Sequence, residues 1–109
     1  HLGQHAQATA EADDLAKQTG VQPDVLYSAA CAFSLSSTAA GQDDTLEAAD
    51  QRRLAEQYAA RAVELLRQAQ VVGYFRTQPR VDHVKSDTDL DPLRTREDFQ
   101  KLLRELQGD

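Results

Sequence analysis

Four aspartates near the C-terminal end carry the spacing most suggestive of chemistry. Asp87, Asp89, Asp91 and Asp98 fall on positions one, three, five and twelve of a helix–loop–helix calcium loop. The sixth position is Pro92, where such a loop turns on glycine, and the twelfth is Asp98 instead of a longer, bidentate Glu. The pattern therefore predicts turn capping, not chelation. Asp87 and Asp91 cap short turns, Pro92 sets a turn dihedral, and Leu90 and Leu93 pin the stretch to a core. His1 and His5 stand four apart, a metal-capable spacing on a helix, but no third ligand is near and both are expected in solvent. His83, between Val81 and Val84, is expected to be a partly buried packing histidine.

Cys31 is the sole cysteine, which excludes an internal disulfide and any multi-cysteine metal site. Its neighbours Ala30 and Ala32 supply no cation to activate a thiol, so a small buried hydrophobe is expected there. Ser28, Cys31 and the histidines form no recognisable nucleophile–base set. Arg52, Arg53, Arg61 and Arg67 are expected on a solvated helix face, with salt bridging or binding of a peptide carboxylate as the alternative. No catalytic residue, cofactor or metal is expected in these 109 residues.

The elements that must position these side chains are helical. Ile, Trp and Met are absent and Val is sparse, which leaves little material for a sheet. All 17 alanines lie between Ala6 and Ala69, and alanine is the best helix former. The fold class is therefore all-α. From the lack of Met the chain is expected to be a fragment of something larger. No apolar run approaches the ~18 residues of a membrane span. The first 50 residues hold eight acids and one lysine, and the remaining 59 hold ten acids and eleven bases. Neither nucleic acid nor an anionic membrane suits that balance.

Five helices follow from the periodicity. The first runs from about Gly3 to Thr19, with Ala8, Ala12, Leu15 and Ala16 as its stripe and Gly20 as its stop. The second starts at Pro23, carries Leu26, Ala29, Ala30, Phe33 and Ser37 on one face, and ends at Gly41. Asp44 and Glu47 form a capping-box pattern ahead of the third, about Thr45 to Val72. Its stripe is Leu54, Tyr58, Ala62, Leu65, Leu66 and Ala69, and Gly73 is the left-handed terminator. A short helix begins at Pro79, capped by Thr77 or Gln78. Thr95 and Asp98 make a second box before a last helix with Phe99, Leu102, Leu103 and Leu106 on one face.

Ala8, Ala12 and Leu15 share a +4, +3 spacing with Ala62, Leu66 and Ala69. Leu26, Ala29, Ala30 and Phe33 give a large residue, a small pair and an aromatic. Small residues at a crossing let backbones approach, while large ones fill the neighbouring groove. These patterns resemble the second and first helices of the tetratricopeptide repeat, with the hairpin expanded beyond its usual ~34 residues. Asp24-Val25-Leu26-Tyr27, Ala59-Ala60-Arg61-Ala62-Val63-Glu64-Leu65-Leu66, Gly73-Tyr74-Phe75 and Asp89-Leu90-Asp91-Pro92-Leu93-Arg94 carry a closer likeness. Together they resemble the C-terminal tetratricopeptide-like region of large bacterial eukaryotic-type serine/threonine protein kinases.

The resemblance implies a tetratricopeptide-like domain over residues 1–109. Residues 1–20 would be the second helix of a preceding repeat, 23–73 the expanded hairpin and 77–107 a degenerate terminal cap. It implies a non-catalytic, cytoplasmic interaction or scaffold module, the kinase itself lying upstream. Asp24, Tyr27, Cys31 and Ser34 would face a groove for a protein or peptide partner, basic in view of the acidic first half. The same resemblance allows a purely structural solenoid cap, and packing of Tyr27 and Cys31 against the first helix is the alternative to a groove.

Overall fold

The computed structural model describes residues 4–18 and 22–106, and every element among them is helical. Helix α1 spans Gln4–Lys17, α2 Pro23–Gly41, α3 Ala48–Val71, α4 Gln78–Ser86 and α5 Glu97–Leu106. Two 3₁₀ segments, Tyr74–Arg76 and Thr88–Leu93, lie between the last helices. The fold is all-α and built on helical hairpins.

The chain punctuates these helices by recognisable means. Pro23 opens α2, where its missing N–H would go unbonded in any case. Gly73 ends α3 in the left-handed region at φ 91°. Gly41 does not act this way: it is the last residue of α2, and the Gln42 N–H closes the turn onto Ala39 and Ala40. Gly20, the expected stop of α1, lies outside the described residues, as does His1.

Helices α2 and α3 form an antiparallel pair. The Ser37 hydroxyl near the end of α2 donates to the Ala55 carbonyl near the start of α3 at 2.7 Å. At the other end, Leu26 shares a surface hollow with Gln68, Val71 and Val72. The extra length between Ala30 and Ala62 lies in the helices themselves, of 19 and 24 residues, and not in a long loop. Ala30, Ala62, Leu65, Leu66 and Ala69 are fully buried, so the small residues do sit inside the packed layer. Each such leucine contributes about 2–3 kcal/mol of burial. Ala48 and Ala49 are exposed and serve helix propensity alone.

The C-terminal elements close the core. Val84, Leu90, Leu93, Phe99 and Leu102 are all fully buried, as the expected inward faces require. Leu90 and Leu93 project from the 3₁₀ segment Thr88–Leu93, which packs on α2.

Three local expectations are corrected. The Asp44–Glu47 capping box does not form; Asp43 instead accepts from the Thr45 N–H and hydroxyl, and Glu47 stands at the N-cap without a side-chain bond. The Thr95–Asp98 box is likewise displaced, because Arg96 occupies the Asp98 carboxylate through two nitrogens. Such a bidentate, charge-assisted pair outcompetes one contact with the neutral Thr95 backbone N–H. Helix α1 turns a different face inward: His5, Thr9, Ala12 and Ala16 are buried, while Ala8 is exposed and Leu15 is 48% exposed.

Candidate functional site

The four residues expected to line one groove separate in the structure. Ser34 is fully buried and its hydroxyl has no protein partner. Tyr27 is buried, Cys31 half-buried and Asp24 exposed. The face of α2 that carries Tyr27 and Cys31 is covered by the chain's own C-terminal segments, not left open. Tyr74 stacks on the Tyr27 ring with centroids 5.0 Å apart, and Phe75 meets it edge-on at 6.1 Å. The alternative, packing of Tyr27 against α1, does not hold either, since its partners come from residues 74–87.

Asp87 is the centre of that covered face. Its Oδ1 accepts the Asp89 N–H and caps the 3₁₀ segment, as its place in the sequence suggests. Its Oδ2 takes the Tyr27 hydroxyl at 2.6 Å and the Cys31 thiol at 3.8 Å, and lies 3.2 Å from His83 Nε2. Burial pushes Asp87 up, but the bonds from Tyr27 and the Asp89 N–H outweigh it and hold the carboxyl below its usual range. Burial, then the charges of Asp87 and Asp89, push the Cys31 thiol up to about 12. Cys31 is thus a half-buried thiol facing acids, not a fully buried hydrophobe. His83 is 61% exposed at its side chain, because helical geometry sends Val81 and Val84 inward and His83 outward to Asp87.

A second buried node was not expected. His5 is 8% exposed. Its Nε2 lies 2.7 Å from Asp43 Oδ2 and its Nδ1 lies 3.1 Å from the Tyr58 hydroxyl. The carboxylate fixes the proton on Nε2, leaving Nδ1 to accept from Tyr58 in the neutral ring. The bonds from Thr45, then that from His5, hold Asp43 down at about 2. The node ties the start of α1 to the α2–α3 turn and to α3. Only the Asp43-x-Thr45 turn signature in the sequence marks Asp43 as ordered; nothing local joins it to His5.

The arginines mostly form bridges. Arg61 binds Asp13 of α1 at 2.7 Å and also Glu64. Arg67 binds Glu105 of α5 at 3.0 Å, and Arg53 reaches Asp50. Arg52 stays exposed, on the rim of a hollow that includes Ser37, Pro92 and Arg96.

An open concavity lies on the opposite side of α2, against α1. It measures about 380 Å³ and is lined by Ala8, Ala12, Leu15, Val25, Ala29 and Ala32, with Ser28. Glu11 and Asp24 stand at its edges, both exposed. The small side chains of two antiparallel helices make a shallow apolar floor, and two carboxylates mark its rim. Asp24 is the one expected groove residue that belongs to it. Among the described residues, no helix is long and apolar enough to cross a membrane. No protein-family model, no curated protein and no solved structure matches this chain.

Proposed function

We propose that this chain is a non-catalytic protein–protein interaction module that takes a basic protein or peptide segment in the α1–α2 groove. The groove supports this reading by its combination of an apolar floor with Glu11 and Asp24 at the edges. Neither carboxylate is in an ion pair among the described residues. Lys or Arg stems would cover Ala8, Leu15 and Ala32 while their charged heads reach the rim. The acidic first half favours such a partner and disfavours nucleic acid. The sequence likeness named above supports reading the module as the C-terminal repeat region of a cytoplasmic bacterial serine/threonine protein kinase.

Titration of the full chain with a labelled basic amphipathic peptide tests the groove. Binding should weaken at least about tenfold on Glu11→Lys with Asp24→Lys, and should fall as salt rises. Binding indifferent to both changes would remove the groove from the reading. The genomic sequence preceding His1 tests the origin: a kinase catalytic signature is expected there.

A structural solenoid cap is the second reading. The complete burial of Leu90, Leu93, Phe99 and Leu102 favours it, since residues 77–106 close the core with these side chains. On that reading no peptide binds the groove at all.

A further inference from the structure

The covered face of α2 assembles a donor set that the interaction reading does not use. Cys31 of α2, His83 of α4 and the aspartates Asp87 and Asp89 converge from three parts of the chain. One ligand atom from each of Cys31, Asp87 and Asp89 lies within 4.8 Å of the others. We propose that Cys31, His83, Asp87 and Asp89 form a binding site for one zinc-class divalent cation.

The distances carry this further than composition does. Zinc binds sulfur at about 2.3 Å and nitrogen or oxygen at about 2.0–2.2 Å in a tetrahedron. The edges of that tetrahedron are then about 3.6 Å from sulfur to oxygen and about 3.4 Å from nitrogen to oxygen. Cys31 Sγ is 3.8 Å from Asp87 Oδ2, and His83 Nε2 is 3.2 Å from the same oxygen. These two separations at Asp87 Oδ2 are close to the corresponding edges, and His83, on the solvent side, can turn its ring from Asp87 toward Cys31 and Asp89 without disturbing the core.

The donor chemistry selects the ion. One thiolate, one imidazole and two carboxylates suit zinc or cobalt; calcium and magnesium prefer oxygen alone. The calcium pattern read in the sequence is also broken up in space. Asp91 is bound to Arg94 and Asp98 to Arg96, which leaves Asp87 and Asp89 to join Cys31 instead.

The surroundings are those of an outer shell. Tyr27 donates to Asp87 Oδ2, and the Asp89 N–H fixes Oδ1, so the carboxylate is oriented before any ion arrives. Arg94 bonds the Asp87 backbone carbonyl and Asp91, and among the described residues no Lys or Arg nitrogen pairs with the Asp87 or Asp89 carboxylate. On binding, the Cys31 S–H gives its proton to solvent and its electron pair to the metal. The two acids beside the thiol are the ones that attract the cation.

Cobalt(II) titrated into the full chain is the direct test. A one-to-one complex with a thiolate-to-cobalt charge-transfer band is expected, and zinc should displace the cobalt and abolish the band. Cys31→Ser should remove the band, and Asp89→Asn should weaken affinity at least about tenfold. Asp89 is partly exposed, so its substitution keeps the fold, which the helical circular dichroism would verify. Absence of a one-to-one complex overturns the site, as does a complex whose spectrum and affinity survive both substitutions.

Discussion

The Tyr27 hydroxyl donates a 2.6 Å hydrogen bond to Asp87 Oδ2, joining α2 to a turn 60 residues further along the chain. The acceptor side chain is only 11% exposed, so water cannot replace the donor freely. Hydrogen bonds to charged groups contribute about 1.5–3 kcal/mol. Tyr27→Phe keeps the ring stacked on Tyr74 and removes only the hydroxyl. It should lower the unfolding free energy by about 1–3 kcal/mol, read from the urea midpoint. An unchanged midpoint would show that Asp87 needs no donor from α2.

Alkali should weaken the same face. Burial raises Cys31 from 9.0 to about 12. Burial and the bond to Asp87 also push Tyr27 well above its ordinary 10.0. Both groups keep a proton in the folded state that the unfolded chain has already lost. Stability is therefore full below about pH 9 and falls as pH rises toward about 12. Melting temperatures across this range should show the decline, and Cys31→Ala should flatten its lower part.

Acid acts on other groups. Asp43 is held down at about 2 by Thr45 and His5, and Asp13 is lowered by Lys17 and then Arg61. Their contributions are present above the ordinary carboxyl value of 3.8 and are lost as pH falls toward about 2. Asp43→Asn should flatten that acid limb in thermal melts from about pH 5 downward.

His5 fastens α1 through Asp43 and Tyr58, and Arg61 fastens it again through Asp13. His5→Ala strips a partner from two partly buried groups at once. Amide exchange in α1 should accelerate at least about tenfold, while α3 stays protected. Equal acceleration in both helices would mean that α1 does not open separately.

Ala62 is fully buried on α3. A larger side chain there must push the helices apart, and overpacking costs about 1–3 kcal/mol. Ala62→Leu should lower the urea midpoint accordingly, whereas Ala49→Leu, on the exposed first turn of α3, should leave it within about 0.5 kcal/mol.

The amino-acid sequence by itself determined the helices. Alanine and leucine at three- and four-residue spacings, Pro23 and Gly73 act within a few residues of where they stand, so their effects are local and readable. The buried faces of α3 and α5 follow from the same periodicity. On α1 that logic missed, because Ala8 and Leu15 look more apolar than His5 and Thr9, and only the Asp43 and Tyr58 partners make His5 buriable. His83 reaches Asp87 locally, four residues along the chain, but only the tertiary structure decided the meeting of Cys31 and Tyr27 with Asp87. No local rule joins residues more than 50 positions apart; helix packing does, by laying residues 74–93 across the face of α2. The packing also turned the sequence's groove around, covering Tyr27 and Ser34 and leaving Asp24 on the open side with α1.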